Sequence, residues 1–271
     1  MSLIETHELE KNIEKFKIID SSWHMPQTQR NGFGEYKIRH IPNAIFFDID
    51  KNSNSKSDLP HMLVNLEEWQ EIVSSMGIEN DDEIVVYDNS DVISSCRCWF
   101  NFIYYGHEPK KISVLNGGLN KWINERKITI DTITHNIRSN YKAVEKRELV
   151  KNKKNIDENI LKKNFEVIDA RSLERFEGKV KEPRAGLRSG SIKNSYCIPF
   201  NNLINLDKTF KNKKEIFNIF NKNLVTKNNT KLVFTCGSGV TACVLALAYS
   251  LINDKYLPTI YDGSWAEYGK I

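Results

Sequence analysis

A pattern of short apolar runs, each ending in a polar residue, recurs in the two halves of this chain. Phe16-Lys17-Ile18-Ile19-Asp20 is echoed by Phe165-Glu166-Val167-Ile168-Asp169, and Val85 to Asp88 by Leu232 to Cys236. Leu115-Asn116-Gly117-Gly118-Leu119 returns as Ile260-Tyr261-Asp262-Gly263-Ser264-Trp265, and the turn His40 to Ala44 has its counterpart at Gly190 to Ser195. One supersecondary plan used twice is the simplest source of such a pattern. Short continuous apolar runs read as strands buried on both faces, and the segments between them as helices. Each half therefore predicts an α/β domain with a mostly parallel sheet flanked by helices.

The helices are marked by their ends. Asn65 with Glu68 three positions later is a helix start, Leu66, Trp69, Val73 and Met76 share one apolar face, and Gly77 is the stop. Leu9, Ile13 and Phe16 fall at helical spacing and predict a short opening helix. Residues 131–160 turn polar, rich in Lys, Asn and Glu, with one extended stretch near Tyr141-Lys142-Ala143. The expected division is a first domain over 1–135, a linker over 136–155 and a second domain over 156–271.

Composition narrows the function classes. A length of 271 residues with 40% apolar content suits two domains with ordinary cores. The formal charge is only +4 and the lysines are dispersed, so no nucleic-acid footprint is visible, although a mildly basic cleft for an anion is compatible. The five cysteines match no zinc spacing, since Cys96-x-Cys98 has no second pair. Their usage suits a reducing compartment, and Cys96, Cys98 and Cys243 read as core packing. The opening residues MSLIETHELEKNIEKF carry no secretory signal, transit peptide or membrane span. A cytoplasmic protein with no membrane contact is the expectation.

Lys231-Leu232-Val233-Phe234-Thr235-Cys236-Gly237-Ser238-Gly239-Val240-Thr241-Ala242-Cys243 is where chemistry is expected. A strand runs into Cys236, a glycine-rich turn follows, and an apolar helix begins. Backbone N–H groups and a helix N-terminus then converge on one point, which favours negative charge and hence a thiolate. Free cysteine is also a common core residue. The position of Cys236 at a strand end, beyond which α/β sheets bind ligands, and the glycines after it favour a nucleophile in an anion cradle. Asp88 holds the corresponding place in the first half, so that half is not expected to be catalytic alone.

Taken together, the motifs resemble those of the two-domain rhodaneses, and most nearly the 3-mercaptopyruvate sulfurtransferases, over roughly residues 9–270. The residues that carry the likeness include His40-Ile41-Pro42-x-Ala44-x-Phe46-Phe47-Asp48-Ile49-Asp50, Pro60-His61-Met62-Leu63, Gly117-Gly118-Leu119-x-x-Trp122, Ile168-Asp169-Ala170-Arg171, Arg175-Phe176, Glu182-Pro183-Arg184-x-Gly186 and the Cys236 loop itself. Thiosulfate enzymes of the family carry basic residues directly after the cysteine, whereas Gly237-Ser238 match the uncharged mercaptopyruvate type. The resemblance implies that Arg175 and Arg184 bind the substrate carboxylate, with Gly237, Gly239, Val240 and Thr241 forming the loop around Cys236. It implies a proton relay of Ser238, His61 and Asp50, the last two supplied by the first half. It also implies sulfur transfer from 3-mercaptopyruvate, a small 2-oxo thiol, to a thiol, thioredoxin or cyanide through a Cys236 persulfide, with no metal or organic cofactor. One departure is visible: the second-half turn reads Ser191-Ile192-Lys193-Asn194 where the family has His-Ile-Pro-Gly, and altered local packing is expected there.

Three rivals remain at this stage. Thiosulfate:cyanide sulfurtransfer differs only in the donor. A phosphatase on the same fold would need an arginine closing the loop after Cys236, and none precedes the helix. A non-catalytic sulfur-carrier or docking module would not need Cys236, Ser238 and both arginines together.

Overall fold

The computed structural model describes residues 2–223 and 231–271. It divides into two compact units, one of Met1–Ser55, Leu63–Lys146 and Leu206–Thr209, the other of Lys56–Met62, Arg147–Asn205 and Phe210–Ile271. His61 thus belongs with the second unit.

The first unit is built on strands β1 (Leu3–Ile4), β2 (Phe16–Asp20), β3 (Ala44–Phe46), β4 (Glu83–Tyr87) and β5 (Ile112–Leu115). They lie in the order β1-β5-β4-β2-β3, every pair parallel. Helices α1 (Thr6–Lys11), α2 (Gly32–Ile38), α3 (Leu66–Ser75), α4 (Ser95–Tyr104) and α5 (Gly118–Asn124) accompany the sheet. The second unit repeats the plan with β6 (Val150–Lys151), β7 (Glu166–Asp169), β8 (Tyr196–Cys197), β9 (Leu232–Thr235) and β10 (Ile260–Tyr261), in the order β6-β10-β9-β7-β8 and again all parallel. Its helices are α6 (Lys153–Lys162), α7 (Leu173–Phe176), α8 (Lys213–Asn223), α9 (Ala242–Ser250) and α10 (Ser264–Tyr268). The two sheets share one strand order, so the duplication read from the sequence is a duplication of topology.

Each sheet buries its central strands, as parallel strands require. Ile18, Val85, Tyr36 and Trp122 meet in the first core, and Val167, Val233, Ile192 and Trp265 in the second. Each such side chain contributes about 1.5–3 kcal/mol on leaving water. Cys96 and Cys98 are fully buried on α4. The expected capping box is present on α3: Asn65 Oδ1 accepts the Glu68 N–H at 2.8 Å, and Gly77 follows with φ +69°.

The chain departs from expectation between the halves. Residues 147–155, expected inside the linker, belong to the second unit: Val150–Lys151 pairs with β10, and α6 starts at Lys153. Tyr141-Lys142-Ala143 pairs with no strand; side chains hold it instead, the Tyr141 N–H donating to Ser74 Oγ at 3.1 Å and the Ala143 N–H to Gln70 Oε1 at 3.0 Å. At the chain start the helix covers only Thr6–Lys11, and Phe16 opens β2. The altered turn keeps its backbone. Asn43 and Asn194 both take the left-handed conformation, at φ +64° and +63°, which asparagine tolerates better than most residues, and Ile41 and Ile192 before them are both buried.

Candidate active site

β9 is hydrogen-bonded on both sides, Val233 registering with Val167 and Phe234 with Ile260, so the point where it ends is fixed. Cys236 comes next and is 2% exposed. The first turn of α10 grips its backbone. The Cys236 N–H donates to Ser264 Oγ at 3.3 Å, the Cys236 carbonyl accepts the Trp265 N–H at 2.9 Å, and the Gly237 carbonyl accepts the Ala266 N–H at 2.9 Å. The cysteine's own amide is thus engaged by Ser264, and the loop that follows offers further N–H groups for an anion. Gly239 has φ +79°, a conformation that strains any residue with a Cβ, and Val240 and Thr241 lead into α9. The α9 N-terminus adds its positive end to the same loop.

Ser238 is the junction of the site. His61 Nδ1 lies 2.9 Å from Ser238 Oγ, and Arg184 Nη2 donates to the same oxygen at 3.3 Å. A guanidinium can only donate, so Ser238 accepts from Arg184 and can pass its own proton to His61 Nδ1. His61 is buried and stands at φ +61°, uncommon for a residue with a side chain.

The two arginines meet over the residue after Cys236. A Cβ on Gly237 would lie 3.3 Å from Arg175 Nη2 and 3.6 Å from Arg184 Nη1. Arg175 sits on α7, whose N-cap Ser172 accepts the Arg175 N–H. Its guanidinium is held through Nε and Nη2 by both oxygens of Glu182, at 3.3 and 2.6 Å. The Glu182 side chain is only 1% exposed and also accepts Arg171 Nη1 at 2.8 Å. Arg171 in turn is clamped by Asp169, at 2.7 Å from Nη2, and lies 4.4 Å over the Trp265 ring. Asp169, Arg171, Glu182 and Arg175 therefore form an alternating chain of charges from the end of β7 to the cysteine loop.

These second-unit contacts gather Cys236, Gly237, Ser238, His61, Arg175 and Arg184. Asp50 lies in the first unit, exposed, where its carboxylate accepts the Trp23 indole N–H at 2.9 Å and its own N–H donates to Asp48. Glu182, Arg171, Ser264 and Trp265 stand in the motifs, but sequence reasoning gave them no role. The available signal was an acidic residue two positions before Arg184 and seven after Arg175.

The first unit shows what happens without the cysteine. Asp88 follows β4 as Cys236 follows β9, and its two oxygens accept the Ser90 and Ser95 N–H groups, each at 2.8 Å. Here the loop amides bind a side chain of their own, and burial pushes the Asp88 carboxyl above its usual range. Among the described residues no group of His, Cys, Asp and Glu converges as a metal site, and no helix is long and apolar enough to cross a membrane.

Comparison with known proteins agrees with the duplicated architecture. The Rhodanese-like domain matches at residues 5–125 and again at 150–270. The Arabidopsis thaliana protein named Thiosulfate/3-mercaptopyruvate sulfurtransferase 1, mitochondrial is 37% identical over 93% of this chain and 71% of its own length. The 3-mercaptopyruvate sulfurtransferase of Mus musculus is 35% identical over 95% of this chain and 86% of its own. The crystal structure of SseA from Escherichia coli, described with the "Rhodanese" fold and catalytic mechanism of 3-mercaptopyruvate sulfotransferases, superposes with a TM-score of 0.88. It is 30% identical, over 98% of this chain and all of that one.

Proposed function

The chain belongs to the rhodanese family, and within it we propose a 3-mercaptopyruvate sulfurtransferase that moves sulfur to a thiol, thioredoxin or cyanide through a persulfide on Cys236 and releases pyruvate. The observation that carries the donor assignment is the placement of Arg175 and Arg184 over Gly237, beside a loop whose next side chain is the uncharged Ser238. The two guanidinium forks suit a carboxylate and the adjacent 2-oxo group, which a sulfur-only donor lacks.

In the first half-reaction the Cys236 thiolate attacks the substrate's sulfur. An S–S bond forms, the C–S bond breaks, and its electron pair leaves on pyruvate as the enolate. The proton that began on the substrate's thiol ends on the methyl carbon of pyruvate. Ser238 and His61, already in hydrogen-bond contact, are the groups that would move it, with Asp50 joined to the relay by motif resemblance. The thiolate must be present for attack, and the loop amides with the α9 N-terminus favour it. The same amides then hold the persulfide anion. In the second half-reaction an acceptor thiolate or cyanide takes the outer sulfur and returns Cys236 to its thiolate. No metal or organic cofactor enters this scheme. A cytoplasmic setting is part of the proposal and rests on the cysteine usage.

The Arabidopsis relative carries both donors in its name, so thiosulfate is the second donor to assay. The test is pyruvate release from 3-mercaptopyruvate, run beside thiocyanate formation from thiosulfate and cyanide. A clear preference for mercaptopyruvate, abolished in Cys236→Ser, is expected. Preference for thiosulfate would move the assignment to the sister activity, and turnover surviving in Cys236→Ser would end it.

A further inference from the structure

We propose that Trp265 is a positioning residue: its side chain docks the loop that carries Arg175 and Arg184 on the helix that grips the Cys236 loop, and so sets where the guanidinium groups stand relative to the sulfur. The inference rests on the reading that Arg175 and Arg184 face the donor.

The loop after β7 begins with Arg171 and passes Arg175 and Arg184 before it reaches Arg188. Its two outer arginines lie on one ring. The Arg171 guanidinium is 4.4 Å from the centre of the Trp265 ring, and the Arg188 guanidinium 4.5 Å. The Trp265 indole N–H also donates to the Arg188 carbonyl at 3.0 Å. Cation–π attraction is strongest where water is excluded, and Trp265 is buried. The backbone N–H of the same residue donates to the Cys236 carbonyl at 2.9 Å. Trp265 therefore holds the arginine loop by its side chain and the cysteine loop by its backbone.

The two ends of the arginine loop depend on it unequally. Arg171 is also clamped by Asp169 and Glu182, and Glu182 holds Arg175 as well. The far end is docked on α10 and the residues that follow it. There the Arg188 N–H donates to the Gly269 carbonyl at 2.8 Å, the Ile271 N–H to the Gly186 carbonyl at 3.2 Å, and the Arg188 guanidinium lies 5.7 Å from the centre of the Tyr268 ring. Arg184 stands four positions before Arg188, so loosening the Trp265 contacts displaces Arg184 more than Arg175. A shift of about 1 Å in a group that orients a reactant can cost as much as 100-fold in rate.

Alkylation of Cys236 reads this alignment directly. 3-Bromopyruvate and bromoacetone present the same bromomethyl ketone, and the first alone carries a carboxylate. With either, the Cys236 thiolate forms an S–C bond at the bromomethyl carbon, the C–Br bond breaks, and bromide leaves with the electron pair. The two rates are followed at Cys236 by peptide mass spectrometry in the full chain, each divided by the rate with free N-acetylcysteine. Their ratio cancels the reactivity of the thiolate and leaves recognition of the carboxylate.

Wild type should favour bromopyruvate about tenfold. Trp265→Phe, which keeps an aromatic ring and loses the indole N–H, should lower that preference about fivefold, and Arg188→Ala, at an exposed position, about threefold. Because Trp265 acts through Arg184, Trp265→Phe should lower the preference no further once Arg184 is replaced by alanine. An unchanged ratio in folded Trp265→Phe or in Arg188→Ala overturns the proposal whatever the melting temperature does, and so does a full further loss in the combined variant. If Trp265→Phe does not fold, Arg188→Ala decides. A wild type without the preference, or Arg184→Ala that keeps it, overturns the arginine reading instead, so the two failures are told apart.

Discussion

His61 Nδ1 and Ser238 Oγ stand 2.9 Å apart, although 177 positions separate them in the chain. Arg184 donates to the same serine oxygen, so one hydroxyl links a guanidinium to the imidazole. If protons reach the departing enolate by this route, Ser238→Ala and His61→Asn should each lower kcat by about 100-fold with little change in KM. Ser238→Ala combined with His61→Asn should be scarcely slower than either variant alone, because residues that act as one unit are not additive. Multiplying effects in the combined variant would show that serine and histidine act separately.

The two arginines should fail differently. Arg184→Ala removes the donor to Ser238 and, on the proposed reading, a donor to the substrate carboxylate. KM for mercaptopyruvate should rise at least tenfold, as expected for a hydrogen bond to a charged group worth about 1.5–3 kcal/mol. Arg175→Ala also strips one partner from the buried carboxylate of Glu182. It should raise KM and lower stability by about 1–3 kcal/mol, read as a fall in melting temperature. A melting temperature of Arg175→Ala equal to that of wild type would contradict the charge chain.

Asp20 in the first unit occupies the place of Asp169, but Ser22 stands where Arg171 would answer it. Desolvation pushes its carboxyl up to about 6, only partly offset by bonds from the Ser22 N–H and Oγ at 2.9 and 2.6 Å. A carboxyl raised in the folded state binds its proton more tightly there than in the unfolded chain. Its favourable contribution is therefore present below about pH 4 and lost as pH rises through 6, a change of about 2–3 kcal/mol. Asp20→Asn keeps an oxygen for both Ser22 donors and carries no charge. It should raise the melting temperature at pH 7, and the gain over wild type should vanish near pH 4. A gain independent of pH would assign the effect to packing instead.

Much of this architecture is visible in the chain because its signals are local. Buried strands such as Ile84 to Tyr87, the Asn65–Glu68 cap and the glycines after Cys236 each announce themselves within a few residues. The edge strands do not. Leu3–Ile4 and Val150–Lys151 are too short to carry a period, and they are strands because β5 and β10 offer them an open edge. The charge chain is hidden for a similar reason. Arg171, Arg175, Glu182 and Arg184 read like a solvated loop, and only the fold places Glu182 inside, between two guanidinium groups. The sequence names Cys236, Ser238 and the arginines; the contacts joining them span distances no local pattern encodes.

The two loop glycines allow a last separation, between shaping the cradle and making room for the donor. Gly239 lies at φ +79°, where a Cβ costs about 1–2 kcal/mol, so Gly239→Ala must either strain or reshape the loop that, in the proposed mechanism, holds the sulfur. Gly237 lies outside the left-handed region, and its alanine would instead press on the guanidinium nitrogens of Arg175 and Arg184, at 3.3 and 3.6 Å. Those are the far ends of long side chains and can shift by a few tenths of an ångström. Gly237→Ala should therefore raise KM for mercaptopyruvate by about fivefold at unchanged melting temperature, since only the clamp is displaced. Gly239→Ala should lower the melting temperature and the yield of Cys236 persulfide, seen by mass spectrometry after one turnover without acceptor. If Gly237→Ala instead lost the persulfide and kept its KM, the arginines would not be the groups that hold the donor.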